Sequence, residues 1–284
     1  MEIRQVTHVP VQVVAVTGGK GGVGKSSISL NLAIAMADPG REVTLLDADL
    51  GLANIAVLLG LHPLRNLSHV VRGECGLRDI LLKGPNGINI IPAASGIKMM
   101  ARLGATQHGA LVHAFDELAD ITDTLIIDTS AGLSDSVLTF CSASQEVIIV
   151  ICNEPASLTD AYALIKVLHQ HHGVIRFRIL VNMTETRQEG RQLFLRLVRV
   201  TQQFLDVVLD FMGVIPRDHY VIKAVQQQRP LLLAYPGSPA AIALKDLALV
   251  ADNWPRRSVA NGKLQFFMDH MLRGLPVKQL GAPL

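Results

Sequence analysis

A glycine-rich stretch with two lysines carries the clearest chemistry in the sequence. The stretch from Gly18 to Ser26 contains, from Gly19 onward, the spacing G-x-x-x-x-G-K-S that is typical of a P-loop. Successive backbone N–H groups of such a loop, together with the start of the following helix, favour a bound polyphosphate. Lys25 would reach the β- and γ-phosphates, and the Ser26 hydroxyl would complete the oxygen shell of Mg²⁺. The stretch therefore predicts a site for a polyphosphate and Mg²⁺.

The segments on either side of this loop are those that a phosphate site needs. The apolar run at 11–17 predicts a β-strand, and residues 27–36 predict a helix packed on a sheet. A second apolar run at 43–46 follows at the distance of a β-α-β unit. The alternative is a glycine-rich turn with a solvated lysine, but the strand, the spacing and the helix all favour the phosphate loop.

Lys20 lies inside the loop, where an ordinary P-loop needs no lysine and where its side chain does not easily curl onto the phosphates of its own subunit. The pattern K-G-G-V-G-K-S at 20–26 resembles the deviant P-loop of the MinD/ParA family of dimerising ATPases. The resemblance implies that ATP is the nucleotide and that the chain forms a homodimer in the ATP state. It also implies that Lys20 crosses the dimer interface and neutralises charge on the partner's nucleotide.

Three aspartates are placed at or just after the ends of predicted strands. Asp47 and Asp49 follow the run at 43–46, and Asp128 ends the run at 124–128 in the form of a Walker B strand. Ligands of an open parallel sheet bind at the carboxyl ends of its strands. By the family resemblance Asp49 orients the attacking water, Asp47 lies near the Mg²⁺ shell and Asp128 holds a Mg²⁺-bound water. The predicted metal-site residues are Ser26, Asp47 and Asp128, and the predicted catalytic residues are Lys20, Lys25 and Asp49. A strand-end turn rich in Asp and Gly is the alternative interpretation of 47–54.

The order of further segments also matches the family. By that resemblance Asn54 helps to sense the γ-phosphate, Asn182 contacts adenine after the strand at 177–181, and Pro216 and Asp218 flank the base. Ser130 departs from the Asp-x-Pro-Ala-Gly or Asp-x-Ala-Ala-Gly that the family usually has at the second switch, and we expect it to alter flexibility more than chemistry. The full set of predicted nucleotide contacts is Gly19, Lys20, Gly21, Gly22, Val23, Gly24, Lys25, Ser26, Ser27, Asn54, Asn182, Pro216 and Asp218.

Length and composition indicate a globular chain with a well-buried core, organised as one large α/β domain or two small ones. The 284 residues are 49% hydrophobic and 18% charged, and the net charge of +2 makes the whole molecule an unlikely polyanion binder. The run at 146–152, apolar apart from its first residue, predicts a central strand buried on both faces. We predict an α/β fold of the MinD-like P-loop NTPase type, a mostly parallel twisted sheet with helices on both faces. Residues 1–10 are expected to be a flexible lead, 11–257 the ATPase domain, and 258–284 a linker with an amphipathic C-terminal helix.

The C-terminal stretch has the pattern of an interfacial helix. Its apolar residues recur at helical spacing and form one stripe, made of Leu264, Phe267, Met268, Met271, Leu272 and Leu275. Basic residues flank this stripe, which suits an anionic membrane, and two such helices on an ATP-held dimer would gain by avidity. Docking on its own domain or on the sister subunit is the alternative. The three cysteines are widely separated and are expected to be free thiols in a reducing compartment. The expected location is therefore the cytoplasm, with peripheral association at the inner membrane.

Two other clusters have more than one interpretation. His169, His171 and His172 crowd one predicted helix end, where cationic or neutral histidines are common, and a metal role is the alternative. The arginine-rich segment from Arg187 to Arg199 predicts an amphipathic surface helix, or a surface that binds a polyanion or partner. Ser157 is the expected N-cap of the helix that follows the strand at 146–152.

Within the family, segments 47–54, 92–96 and 160–166 look most like the FleN/FlhG branch, the bacterial ATPases that limit flagellar number. The resemblance implies that the chain restrains a flagellar transcriptional activator of the FleQ/FlrA type. An FlhF-type GTPase is a further partner of the FlhG branch, through an N-terminal Asp-Gln-Ala-type motif that residues 1–10 lack.

Rival interpretations come from other classes of P-loop protein. A ParA-type partition protein would bind DNA nonspecifically; the amphipathic tail argues against it, and no direct sequence-specific DNA binding is expected. A MinD-type protein would act on the division machinery. A metabolic or cluster-assembly P-loop protein would need either a substrate pocket or paired cysteines. The absence of a C-x-x-C motif argues against the cluster carrier.

Overall fold

The structure, a computed structural model, describes residues 11–38, 40–49, 54–92, 114–115 and 117–255. Its described strands form one eight-stranded sheet in the spatial order β3-β4-β2-β5-β1-β6-β7-β8. The strands are β1 (Gln12–Thr17), β2 (Val43–Ala48), β3 (Leu82–Lys83), β4 (Asn89–Pro92), β5 (Thr124–Thr129), β6 (Glu146–Cys152), β7 (Arg176–Thr184) and β8 (Val208–Pro216). Only the β3–β4 pair among them is antiparallel, so the predicted mostly parallel sheet is confirmed.

Helices connect the strands and cover the sheet. They are α1 (Lys25–Ala37), α2 (Asn54–Leu58), α3 (Leu67–Val71), α4 (Asp135–Ala143), α5 (Pro155–His172), α6 (Arg187–Gln202), α7 (His219–Gln226), α8 (Leu231–Ala234) and α9 (Pro239–Asp252). Among the described residues, short 3₁₀ turns lie at Arg78–Ile80, Pro85–Gly87 and Ala119–Ile121. None of the helices in the described ranges is long and apolar enough to cross a bilayer.

The sheet is buried on both faces, as the apolar strands predict. Along β6, Ile148 and Val150 belong to the core layer that contains α1 and α9. Ile149 and Ile151, which alternate with them, pack in the layer that contains α4, α5 and α6. Because successive strand residues point to opposite faces, this alternation requires helices on both sides, and the predicted arrangement is confirmed.

Two strands are longer than the sequence pattern indicates. β7 begins at Arg176 and continues to Thr184, beyond the predicted 177–181, and β8 begins at Val208, well before the apolar residues at 214–215. Charged residues lie inside both strands, Arg178 in the predicted part of β7 and Asp210 in the added part of β8. Arg178 of β7 donates hydrogen bonds to Glu146 of β6 at 2.8 Å and to Asp210 of β8 at 2.7 Å. Cross-strand pairing of opposite charges therefore replaces the apolar pattern in this part of the sheet.

The connections place the predicted loop at the ligand-binding edge of the sheet. β1 lies between β5 and β6, and its carboxyl end leads directly into the loop and then α1. The predicted lead at 1–10 and the linker and amphipathic helix at 258–284 lie outside the described residues and stay predictions.

Candidate nucleotide-binding site

The backbone of the loop is shaped by its glycines. Gly24 has φ +92 and caps the start of α1, and a Cβ there would lie 2.6 Å from Asn182 Nδ2. Gly21 and Gly22 are exposed, with no atom within 4 Å of a Cβ built on either. The loop is therefore packed closely at Gly24 and open at Gly21 and Gly22, where a phosphate could approach the backbone.

The other loop residues anchor this segment. Val23 is buried in the core layer of α1, and Gly19 lies against the backbone of Asp160 in α5 without room for a side chain. Ser26 and Ser27 lie in the first turn of α1. The predicted nucleotide contacts from 19 to 27 therefore form one continuous segment that runs from the loop after β1 into the first turn of α1.

Lys25 and three aspartates form the charged centre of the site. The Lys25 side chain is buried, and burial lowers the pKa of its ammonium group, while the charges of Asp128 and Asp49 oppose that shift. Asp128 accepts a hydrogen bond from Ser29 Oγ at 2.9 Å. The structure therefore places Lys25 near Asp49 and Asp128, and it adds Ser29.

Asp47 and Asp128 are a cross-strand pair in the β2–β5 register. Only 1% of Asp47 and 0% of Asp128 is exposed. Burial raises the pKa of Asp47 to about 7, with a further contribution from the charge of Asp128. Burial also raises the pKa of Asp128 to about 6, although hydrogen bonds from Ser26 and Ser29 and the charge of Lys25 lower it. Two carboxylates held side by side in the core are costly unless a cation is nearby.

The residues of this pair fit Mg²⁺. Asp47 Oδ1 and Asp128 Oδ2 are buried and have no hydrogen-bond partner in the described part of the chain. Ser26 lies close enough to Asp128 to affect its pKa. Carboxylate and hydroxyl oxygens are the ligands that Mg²⁺ prefers, and the ion usually keeps water and phosphate oxygens as well. Ser26, Asp47 and Asp128 could hold the ion directly or through water.

Two residues of the first switch region form hydrogen bonds to the carboxylates of Asp47 and Asp49. Asn54 Nδ2 donates to Asp49 Oδ2 at 2.9 Å, and the backbone N–H of Ile55 donates to Asp47 Oδ2 at 3.1 Å. These bonds fix the start of α2 against the end of β2. Residues 50–53 lie outside the described ranges. The structure places Asn54 beside Asp49, a position from which it can orient that carboxylate.

The predicted second switch contacts the phosphate loop directly. The backbone N–H of Gly132 donates to the carbonyl of Gly18 at 3.1 Å, and Gly132 has φ +93. The unusual Ser130 has a carbonyl that accepts a bond from the Thr129 hydroxyl at 3.2 Å. Segment 130–132 therefore connects the end of β5, which carries Asp128, to the start of the loop.

Lys20 lies apart from the carboxylate pair. Its ammonium group forms a hydrogen-bonded ion pair with Glu154, at the start of α5, and this contact raises the pKa of Lys20. The pair is on the surface, with 38% and 53% of the two side chains exposed. Sequence reasoning missed Glu154, although its place directly after β6, the neighbour of β1, was a usable signal. In the described part of the chain the ammonium group of Lys20 therefore pairs with Glu154 and forms no ion pair with the aspartates around Lys25.

The residues predicted to contact the base have defined structural partners. Asn182 Nδ2 donates to the carbonyl of Val23 at 2.8 Å, so this side chain supports the phosphate loop. Asp218 accepts the backbone N–H of Tyr220 at 2.9 Å and that of Ala240 at 3.0 Å, so its carboxylate caps α7 and joins it to α9. Pro216 is the last residue of β8. The predicted contacts of these three residues with a base stay predictions.

Two other expectations concern α5. The expected N-cap at Ser157 is wrong, because the helix begins at Pro155 after Glu154, and the Ser157 hydroxyl instead accepts the Cys152 N–H at 3.0 Å. Proline at the first position needs no N–H partner, which explains the earlier start. His169, His171 and His172 lie in the last turn, which Gly173 ends. No group of three His, Cys, Asp or Glu residues that could hold a metal is found in the part of the chain that the structure describes.

The fold and the site together define a class of protein. A phosphate loop follows the central strand of a parallel sheet, and a buried lysine and a Walker B aspartate lie beside it. That combination is the site of a P-loop NTPase.

Comparison with known proteins extends this assignment. The ParA family model, described as NUBPL iron-transfer P-loop NTPase, matches residues 10–250. The chain is 54% identical over 264 residues to the antiactivator FleN of Pseudomonas aeruginosa, covering 93% of this chain and 94% of that protein. It is 33% identical to the flagellum site-determining protein YlxH of Helicobacter pylori, covering 77% and 74%. The chain belongs to the ParA/MinD family of P-loop NTPases, which implies ATPase activity, and the predicted resemblance to FleN/FlhG is confirmed.

Solved structures agree on the fold. MinD of Pyrococcus horikoshii complexed with Mg-ADP superimposes with a TM-score of 0.66 at 23% identity, covering 86% of this chain and 96% of that one. MinD in the MinC:MinD complex of Aquifex aeolicus gives 0.67 at 24% identity, covering 87% and 98%. The predicted MinD-like P-loop NTPase fold is therefore confirmed.

Proposed function

We propose that the chain is a Mg²⁺-dependent ATPase that dimerises around two ATP molecules and, in that state, restrains a flagellar transcriptional activator of the FleQ/FlrA type. The single observation that carries the dimer is the position of Lys20, which pairs with Glu154 on the surface and not with the groups around Lys25. The similarity to FleN of Pseudomonas aeruginosa, an antiactivator, supports the regulatory role.

Within one subunit, different residues would bind the phosphates, hold Mg²⁺ and position the attacking water. Lys25 and the open backbone at Gly21 and Gly22 would bind the phosphates, and Ser26, Asp47 and Asp128 would hold Mg²⁺. When bound, Mg²⁺ would neutralise charge on the phosphates. Asp49, oriented by Asn54, would position the attacking water. Asn182 stabilises the conformation of the loop through its hydrogen bond to the carbonyl of Val23.

The dimer would depend on an exchange of partners by Lys20. In the single chain its ammonium group is neutralised by Glu154. In the ATP-bound dimer it would leave Glu154 and neutralise phosphate charge on the sister subunit. Because this exchange needs a γ-phosphate across the interface, ADP would not sustain it. Slow hydrolysis would therefore reset the switch, and the predicted helix at 258–284 would associate with the inner membrane mainly in the dimeric state.

Binding of the purified activator, measured by interferometry with ATP and with ADP, tests the regulatory part. An Asp49→Ala variant, which we expect to keep ATP bound without hydrolysing it, should bind the activator in the presence of ATP and should not bind it in the presence of ADP. A Lys20→Ala variant should bind it in neither nucleotide. Equal binding in ATP and ADP by the Asp49→Ala variant would contradict the proposal.

A second candidate is a positioning or partition ATPase that acts on the division machinery or on DNA. It is favoured by the similarity to YlxH, a flagellum site-determining protein, and by the fold shared with MinD. Co-sedimentation with duplex DNA and with anionic vesicles separates the two candidates. Strong ATP-dependent, salt-sensitive DNA binding without activator binding would favour the partition role.

A further inference from the structure

Met183, near the carboxyl end of β7, has a backbone conformation that residues with a side chain rarely adopt. Its φ is +58, in the left-handed region, where glycine or asparagine would be less strained. The register of the β7–β8 pair shifts between Asn182 and Thr184, so Met183 is the extra residue of a β-bulge. Because bulges re-aim side chains and strained residues are concentrated at functional sites, this conformation indicates a role for the Met183 side chain at this edge of the sheet.

The amide group of Asn182 fixes this bulge against the phosphate loop. Its oxygen accepts the backbone N–H of Met183 at 2.9 Å, and its nitrogen donates to the carbonyl of Val23 at 2.8 Å. The backbone after the bulge is held as well, because the carbonyl of Thr184 accepts the N–H of Arg217 at 2.8 Å. The position of Met183 relative to the loop is therefore determined by hydrogen bonds on both sides of it.

The Met183 side chain lies beside the phosphate loop and is half-buried. Its methyl carbon Cε is 3.7 Å from the point that a Cβ on Gly24 would occupy, and Gly24 directly precedes Lys25. The thioether is thus next to the predicted phosphate contacts, and part of the side chain is open to solvent. An apolar, polarizable group in this position can contact a nucleotide that occupies the loop.

The two sides of the phosphate loop differ in chemistry, and this difference sets the direction of a bound nucleotide. β1 has β5 on one side and β6, followed by β7, on the other. The buried Asp47 and Asp128 lie on β2 and β5, so Mg²⁺ and the terminal phosphates would lie on that side. The nucleoside would then extend in the opposite direction, over the carboxyl ends of β6 and β7, where Met183 lies.

We infer that Met183 contacts the base of the nucleotide, with its thioether packed on the face of the aromatic ring. Sulfur–aromatic contacts are favourable, and the unbranched side chain of methionine adapts its shape to a flat ring. The inference rests on the proposed ATPase function, because it concerns the nucleotide of the same site. It adds a residue that contacts the nucleoside, whereas the open backbone of the loop and Lys25 contact the phosphates.

Calorimetric titration of the intact full-length chain with ADP and with inorganic tripolyphosphate, which has no base, tests the inference, with Mg²⁺ present in both. Met183→Ala keeps the Cβ and removes the thioether. It should weaken ADP binding by about tenfold and leave tripolyphosphate binding within about twofold of wild type. Met183→Leu, which restores most of the apolar volume, should recover ADP binding to within about threefold of wild type.

The matched control is Asn86→Ala, because Asn86 is another residue with a left-handed backbone, φ +52, and lies in the turn at Pro85–Gly87. This variant should leave both affinities unchanged. An equal loss of ADP and tripolyphosphate binding by Met183→Ala would show that the residue only supports the loop, and would overturn the inference. ADP binding that is unchanged in Met183→Ala, or as weak in Met183→Leu as in Met183→Ala, would overturn it too.

Failure of the inference and failure of the proposed function give different results. A wild-type chain that binds ADP through Met183 but remains a monomer with ATP would leave the inference standing and contradict the proposed dimer. A wild-type chain that dimerises with ATP, while Met183→Ala binds ADP normally, would leave the proposed function standing and overturn the inference.

Discussion

The phosphate loop and the buried carboxylate pair lie at the same edge of the sheet but are built in opposite ways. The loop offers backbone at Gly21 and Gly22, exposed and free of neighbouring side chains. The pair offers side-chain oxygens of Asp47 and Asp128, both buried and with pKa values raised to about 7 and about 6. The loop therefore needs only its conformation to be ready for a ligand, whereas the pair makes the ligand-free fold less stable.

This difference predicts that substitutions in the two regions have different effects. Changes in the loop should alter binding and turnover while the fold stays stable. Changes in the pair should alter the stability of the ligand-free protein and its dependence on pH.

The largest effect is expected at Lys20. Lys20→Ala should reduce ATP hydrolysis on the order of 10³-fold, because a charge supplied across the interface would be lost. ADP affinity should stay unchanged, since Lys20 pairs with Glu154 and not with groups around its own phosphate site. Single-turnover hydrolysis and ADP titration measure the two quantities. Lys223→Ala, at another exposed lysine, is the control, and normal hydrolysis by Lys20→Ala would remove the cross-subunit role.

Gly24→Ala should weaken nucleotide binding by about 100-fold. The new Cβ would lie 2.6 Å from Asn182 Nδ2, and φ is +92, a conformation that costs an alanine about 1 kcal/mol. Titration with a fluorescent ATP analogue measures the loss. Gly40→Ala is the matched control, because Gly40 has φ +85 but no atom near its Cβ. Equal weakening in both variants would mean that strain in the backbone, and not the packing of Asn182, sets the effect.

Asp47→Asn should stabilise the nucleotide-free protein by about 2 kcal/mol above pH 7, less than the roughly 4 kcal/mol to which the pKa shift corresponds, because the buried amide also carries a desolvation cost. The folded pKa of Asp47 is about 7 and the ordinary value is 3.8, so the folded state holds a proton that the unfolded state releases. The free energy of unfolding that is lost by burying the ionised Asp47 carboxylate is therefore zero below about pH 4. This loss grows as pH rises from 4 to 7 and reaches its full size above pH 7. Urea unfolding at pH 5 and pH 8 measures it, and the gain should shrink at pH 5. A gain that is the same at both pH values would show that the carboxylate is not responsible.

Ser29→Ala should give the smallest effect, a loss of about 1 kcal/mol in the free energy of unfolding. The variant removes the hydrogen bond from Ser29 Oγ to Asp128 Oδ1, while Ser27→Ala in the same helix removes a hydroxyl without such a bond. Urea unfolding of the two variants without nucleotide gives the comparison. Equal losses would show that the Ser29 bond does not support the buried pair.

The phosphate loop and the central strands could be predicted because their signals are local. A fixed spacing of glycine, lysine and serine defines the loop, and uninterrupted apolar residues define a strand buried on both faces, as in β6. The predicted aspartates also lie where strand ends must meet, with Asp47 beside Asp128.

Other features depend on tertiary neighbours that no short pattern contains. Glu154 is the partner of Lys20 only because β6 lies next to β1. Asp218 caps α7 and also binds Ala240 of α9, a contact between segments that are far apart in the sequence. The start of β8 carries Asp210, which is compatible with a strand because Arg178 of β7 lies opposite. The same dependence applies to the pKa values of the aspartates, which are set by burial.

The measurement that tests the central claim most directly is the mass of the Asp49→Ala protein in solution by light scattering, with ADP and with ATP. We predict a monomer with ADP and a dimer with ATP, and a return to monomer when Lys20→Ala is added to the variant. A monomer in both nucleotides would contradict the proposal that Lys20 acts across an ATP-bound dimer.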